Sequence, residues 1–317
     1  MTDLKKRTLG DYILIGLKGF GMGIADVIPG VSGGTIAFIS GIYEELIESI
    51  CSLNWSFVKA LLRFQVKEAL NIVAWPFLGS LFTGIILAVL TFSKVLSWLL
   101  TNKPVLINAF FFGLILATVL IIVRIIKKWS VLIIMVMIAA AIGAYYLVAM
   151  VPVHTPETSW MVFLSGALAI CAMILPGISG AFILVLLGKY HFILEAINHR
   201  EMGTIFIFLS GIVVGILSFV HLLRWLFHHF HDLTLAVLSG FVFGSLNKIW
   251  PWKETLRVMT THKGKVIPLE QVNVLPDAIN GEVFLAIGLI VFGFAVSFLL
   301  SFIQTPKDLQ RLHHPKA

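Results

Sequence analysis

The chain has 317 residues, 59% hydrophobic and 12% charged, with a formal net charge of +7. Apolar runs of about 18 residues or more recur along it, the length that crosses a bilayer, so it reads as an integral membrane protein. The positive charge calls for no nucleic acid, because membrane proteins gather Lys and Arg in cytoplasmic loops, and the two cysteines, Cys51 and Cys171, are too few for a disulfide framework, zinc site or iron–sulfur cluster.

In chain order, the first apolar region is 9–50, and near its middle stands "IADVIPGVSGGTIAF" (24–38), an acid, a proline and three glycines inside a stretch greasy enough for the membrane. It leads straight into this glycine-rich segment, so no cleaved leader is expected. Three spans follow, at 71–100, 105–126 and 131–151. A second interrupted region, 160–197, carries "LPGISGAF", and three more spans follow at 204–227, 233–250 and 282–303. Past each Pro-Gly-x-Ser-Gly turn the apolar limb is short: it runs from Gly34 to Tyr43 before Glu44, Glu45 and Glu48, and from Ala181 to Gly188 before Lys189. Ten residues of helix cover about 15 Å, half of a roughly 30 Å hydrocarbon core. The spacing therefore predicts re-entrant helical hairpins with their tips at mid-membrane.

The two regions are copies. A shift of 147 lays Pro29, Gly30, Ser32, Gly33, Gly41, Tyr43 and Glu48 over Pro176, Gly177, Ser179, Gly180, Gly188, Tyr190 and Glu195. At a shift of 127, "LTFSKVLSWLL" meets "LSFVHLLRWLF", and Gly84 and Gly113 meet Gly211 and Gly240; the loop 51–70 supplies the missing 20 residues. The expected fold is an all-α membrane protein of two repeats, 1–151 and 152–317, each a re-entrant hairpin plus three transmembrane helices. A re-entrant or fully spanning hairpin leaves each half an odd number of crossings, so the repeats have inverted topology. With both termini cytoplasmic, the inside receives Lys5, Lys6, Arg7, Lys59, Arg63, Lys67, Arg124, Lys127, Lys128, Arg224, Lys307, Arg311 and Lys316. The outer loop 252–281 is the exception, with Lys253, Arg257, Lys263 and Lys265 against Glu254, Glu270 and Asp277.

Broken backbone at membrane depth leaves amides and carbonyls unpaired, so the turns at Pro29, Gly30, Pro176 and Gly177 are expected to face a cavity. At Ser32, Gly33, Gly34 and Thr35 the chain re-enters a helix, offering bare N–H groups and two hydroxyls; Ser179, Gly180 and Ala181 do the same in the copy. Unpaired donors and the helix dipole attract anions, and glycine permits close approach. Two such ends meeting at the midplane suit one phosphate or carboxylate, reachable from either side in turn. Packing is the assignment for the Gly16, Gly19 and Gly23 ladder and for the Gly211/Gly215 and Gly240/Gly244 pairs.

Asp26, aligned with Met173, is a one-sided membrane acid and the candidate for proton or sodium coupling. Lys18 and Lys189 flank the hairpins as charge partners for a phosphate. Lys94 aligns with His221, each four residues before a Trp, as belt residues or guides for an anion. Glu48 and Glu195 fit an interfacial helix face. His228, His229 and His231 lack a clustered carboxylate, so no metal and no cofactor are expected. Two alternatives stay open: a transporter of a small soluble anion, and an intramembrane serine protease in which Gly30-Val31-Ser32-Gly33-Gly34 is read as a nucleophile motif with His221 as its base.

The stretch "GFGMGIADVIPGVSGGTIAFISGIYEEL", echoed by "ILPGISGAFILVLLGKY", resembles the PopT family of bacterial polyprenyl-phosphate transporters, and the likeness covers essentially the whole chain. The resemblance implies a non-enzymatic flippase of the cytoplasmic (inner) membrane that returns undecaprenyl phosphate, the carrier lipid of cell-wall precursors, from the outer to the inner leaflet. Its implied partners are the polyprenyl phosphate and bilayer lipids; proton or sodium coupling is the hypothesis that Asp26 raises, and whether the chain forms a homo-oligomer stays open. The second turn departs from the first, with Ala181 and Phe182 where Gly34 and Thr35 stand.

Overall fold

The computed structural model describes residues 7–28, 30–150, 152–153, 155–260, 266–276 and 278–303. Pro29, Lys5, Lys6, Val151, Lys263, Lys265, Asp277, Lys307, Arg311 and Lys316 lie outside the described residues.

The first half contains α1 (Leu9–Val27), α2 (Gly33–Ile39), α3 (Tyr43–Cys51), α4 (Trp55–Leu62), α5 (Val66–Ile72), α6 (Trp75–Asn102), α7 (Pro104–Ile125) and α8 (Val131–Ala149). The second contains α9 (Ser159–Ile174), α10 (Gly180–Leu186), α11 (Tyr190–Asn198), α12 (Met202–His229), α13 (His231–Ser245), β1 (Lys253–Thr260), β2 (Val266–Asn273) and α14 (Gly281–Ile303). Among the described residues five helices are long and apolar enough to cross a membrane. The expected span 233–250 is shorter than predicted: α13 has 15 residues and tightens into a 3-10 turn, Leu246–Ile249, before Pro251 ends it. Helix and turn together still rise about 30 Å, enough for the hydrocarbon core. The span expected from residue 71 begins at Trp75, with Pro76 in its first turn where no amide partner is needed.

α1 opens on a capping box, the Thr8 amide donating to Asp11 Oδ2 at 2.8 Å. It stops where Ile28 takes extended backbone before a proline. α2 then runs back along α1: Gly33 lies beside Asp26, Ile36 beside Gly21, and Lys18 Nζ donates to the Ser40 carbonyl at 2.7 Å. A helical hairpin results, as the short limb predicts. In the second half Gly180 returns beside Ala169 and Met173, and α10 and α11 are bent by 102° across Leu187–Lys189. Gly30 and Gly177 have φ of +91° and +90°, and the equivalent glycines that end the short limbs, Gly41 and Gly188, have +70° and +66°. The same left-handed corners therefore shape both hairpins.

The duplicated glycines also do duplicated packing. α1 packs on α6 and α9 on α12; α7 packs on α14 and α8 on α13. A Cβ at Gly84 would stand 1.9 Å from the Gly16 carbonyl oxygen, and one at Gly211 2.0 Å from that of Phe163. Likewise, Gly113 abuts Ile290 and Gly240 abuts Met137. Lipid supplies no hydrophobic drive between helices, so this backbone approach and its dispersion contacts hold the pairs. The glycines read as packing residues are packed in this way.

Two segments expected as loops carry secondary structure of their own. The loop 51–70 folds into α4 and α5, with Trp55 and Leu62 of α4, Leu70 of α5 and Phe64 of the turn between them exposed. The segment 252–281 holds an antiparallel ribbon of β1 and β2 pinned to the bundle by Trp250 Nε1 donating to the Val274 carbonyl at 2.8 Å and by Val274 N donating to that of Trp252 at 3.1 Å.

Candidate functional site

The two turns, 147 residues apart in sequence, meet in the interior. Ser32 Oγ donates to the Met173 carbonyl at 2.9 Å, Gly177 N donates to Thr35 Oγ1 at 3.0 Å, and Tyr43 Oη donates to the Ile174 carbonyl at 3.2 Å. Gly34 lies flat on Ile174, where a Cβ would come within 2.4 Å of its carbonyl oxygen. Each of these bonds adds about 1 kcal/mol net, and leaving one of its buried partners unpaired costs about 1–3 kcal/mol.

This interlock differs from the expectation of bare amides beside a watery cavity. Ser32 and Thr35 are fully buried, and the first turn's donors are already engaged. Gly33 N donates to Asp26 Oδ1 at 2.7 Å, Gly34 N to Ser32 Oγ at 3.1 Å, and Thr35 N to the Ser32 carbonyl at 2.9 Å. Protein, not water, satisfies the broken backbone, which the membrane interior equally permits. Asp26 is thus an internal cap on the positive end of α2.

The second turn is the open one. Met173 replaces the acid, no side chain caps α10, and among the described residues the amides of Gly180 and Ala181 have no hydrogen-bond partner. Ala181 is exposed, and the Ser179 hydroxyl is likewise without a partner among the described residues. The departure of Ala181 from Gly34 follows: only Gly34 must lie against another backbone.

Most of the remaining candidates stand away from the turns. Lys18 and Lys189 sit at the far, C-terminal ends of the short limbs; Lys18 Nζ reaches the Ser40 carbonyl, and the buried Lys189 donates to that of Thr155 at 2.7 Å. Seven residues of α2 put that end about 10 Å from the turn, where a cation complements the helix dipole. Glu48, Glu195, Lys94 and His221 are all exposed. His221 Nδ1 pairs with the Leu217 carbonyl, and among the described residues neither serine hydroxyl is bonded to a histidine, so the protease motif lacks its base.

Sequence reasoning missed Lys248. Its stem crosses Gly30, where a Cβ would stand 2.9 Å from Lys248 Cγ, and its ammonium lies 4.8 Å over the Phe182 ring. The signal was a lone lysine inside an apolar span just before Trp250-Pro251. Beside this segment, α7, α8 and α13 leave an open groove of about 590 Å³ lined by Phe112, Tyr145, Tyr146, Phe243 and Trp250, with Asn247 and Asn273 as polar members.

The family model of undecaprenyl phosphate translocase-like proteins matches residues 22–267. A polyprenyl-phosphate transporter of Vibrio cholerae serotype O1 is 46% identical over 266 residues, covering 84% of this chain and 86% of that protein. One of Staphylococcus aureus is 31% identical over 270 residues, covering 77% and 88%. No solved structure matches this chain.

Proposed function

The chain belongs to the undecaprenyl phosphate translocase-like family, and from that premise we propose that it moves a polyprenyl phosphate, undecaprenyl phosphate first, between the leaflets of the bacterial cytoplasmic membrane. No covalent bond changes; the protein is a carrier and not an enzyme. Its two halves, 1–151 and 152–317, act as inverted repeats around a headgroup site at the turns, formed by Ser32, Gly33, Gly34 and Thr35 with Ser179, Gly180 and Ala181.

The observation that carries this reading is the meeting of the duplicated turns at Ser32–Met173 and Thr35–Gly177. A desolvated phosphate cannot cross hydrocarbon alone, whereas helix ends and hydroxyls can replace its water. The interlocked junction is then a closed state. Opening it exchanges about three hydrogen bonds, roughly 3 kcal/mol, for bonds to the ligand, which leaves a minor open state within reach. The aromatic groove beside α7, α8 and α13 gives the prenyl tail a lateral path, so only the headgroup has to enter. Asp26 is the candidate coupling group because a phosphate can reach the Gly33 amide only by displacing its carboxylate.

Proteoliposomes loaded with a labelled prenyl phosphate test this directly. The wild type should exchange the lipid between leaflets faster than protein-free vesicles, and Ser32→Ala and Ser179→Ala should slow it. Transfer no faster than in empty vesicles defeats the reading, and competition by soluble phosphate with no effect of prenyl phosphates points to a small-anion carrier instead.

A further inference from the structure

We propose that Lys248 and Lys253 form a two-ammonium capture site for a phosphate monoester at the margin of the turn junction; this rests on the carrier reading above and assigns it a headgroup site with net charge. Lys248 touches both halves at once, its stem on Gly30 of the first turn and its ammonium over Phe182 of the second hairpin. Phe182 stands at the position equivalent to Thr35, so where the first hairpin spends that position on the interlock, the second uses it to carry a cation. Lys253, at the start of β1, folds back and donates to the Lys248 carbonyl. Burial first, and the Lys248 charge second, push Lys253 down to about 8.

Both side chains are half-buried, and among the described residues no carboxylate lies within ion-pair distance of either. Two like charges sharing a partly desolvated margin are costly, and the cost is relieved by an anion of two charges between them. A phosphate monoester supplies that charge and three acceptor oxygens for charge-assisted bonds. The arrangement is one-sided, since the 127-residue shift places Ile121, an apolar residue, opposite Lys248 in the first repeat.

The test is binding to the full chain in nanodiscs, with fluorescent undecaprenyl phosphate, undecaprenol and inorganic phosphate as probes. Lys248→Met and Lys253→Met should each weaken the prenyl phosphate about ten- to a hundredfold, as loss of a charge-assisted bond does, while Lys→Arg at either position retains it and undecaprenol binding does not change. Thermal melting separates misfolding from lost affinity, and the Arg variants keep the fold and the charge. Prenyl phosphate that binds both Met variants as it binds wild type overturns the site while leaving the carrier reading standing. If wild type binds no prenyl phosphate but binds inorganic phosphate in a lysine-dependent way, the site stands, its source is a soluble anion, and the lipid reading falls. Lysine-independent binding of every probe, or none at all, overturns the site.

Discussion

Gly34→Ala places a methyl group in the tightest contact between the two turns. A Cβ there stands 2.4 Å from the Ile174 carbonyl oxygen, whereas carbon and carbonyl oxygen rest at about 3.3–3.6 Å. The atom opposite is backbone, so relief requires the turns to part by about 1 Å in a close-packed interior. That movement carries Gly177 N from Thr35 Oγ1, now at 3.0 Å, and Ser32 Oγ from the Met173 carbonyl, now at 2.9 Å, beyond hydrogen-bond range. With about 1 kcal/mol for each bond, plus a share of the 1–3 kcal/mol for a buried donor left bare, the closed junction loses about 3 kcal/mol. At 1.4 kcal/mol per decade this favours opening about a hundredfold. Hydrogen exchange of the protein in nanodiscs reads it: peptides spanning 30–36 and 174–180 should exchange about two decades faster, with α7 unchanged. Ala181→Gly, at an exposed equivalent position, should leave both peptides as in wild type. Wild-type protection of both turns in Gly34→Ala would refute the interlock as the element that holds them.

Asp26→Asn keeps an acceptor for the Gly33 amide and removes the charge; the variant should fold and should lose any response of leaflet transfer to a proton or sodium gradient, and a response equal to wild type removes Asp26 from coupling. Gly113→Ala drives a methyl to 1.9 Å from the Ile290 carbonyl oxygen and should cost about 1–3 kcal/mol or more, whereas Gly143→Ala meets nothing within 4 Å and should be neutral or stabilising by up to about 1 kcal/mol; thermal melts in detergent compare them. Lys253 titrates near 8 in the free protein, with Lys248 as its charged neighbour among the described residues, and a bound phosphate raises that value. Binding therefore takes up a proton at Lys253, so affinity is full between about pH 6, where the phosphate gains its second charge, and about pH 8, and falls about tenfold per unit above it, a decline that Lys253→Arg should flatten in a binding titration.

The hairpins were legible because their signals are local: an X-Pro break, a positive-φ glycine and a limb too short to cross are written in consecutive residues. The glycine pairs were legible because packing leaves small residues at helical spacing, and the duplication repeats them at Gly84/Gly211 and Gly113/Gly240. What the turns do with their donors was not legible. Whether the Gly33 amide is bare depends on how Asp26, a full seven residues earlier, turns back on it, and whether Thr35 is free depends on Gly177 in the other half. Those are tertiary facts. Lys248 was hidden by its setting, because a lone lysine near the end of an apolar span reads as a snorkelling anchor until its stem is found on Gly30. The ribbon β1–β2 was obscured by the mixed charges of 252–281, which drew the reading toward orientation and away from the β-branched residues that pair.

The duplication makes the two turns alike in shape, and a few replacements make them unlike in charge. Asp26 faces Met173, Gly34 faces Ala181, Thr35 faces Phe182 and Ile121 faces Lys248 across the two shifts. In the first turn these choices neutralise the positive end of α2 with a carboxylate and commit its hydroxyls and backbone to the neighbouring half. In the second they leave α10 uncapped and seat an ammonium over an aromatic face. A symmetric pair of helix ends would hold an anion equally from either side, giving exchange with no preferred resting place. Here the second turn and Lys248 present net positive charge, while the first becomes attractive only when the Asp26 carboxylate leaves Gly33 or loses its charge. In the proposed carrier, arrival of a phosphate at the first turn and release of that carboxylate are therefore one event, and an ion that binds or protonates Asp26 would act on the same equilibrium as the lipid.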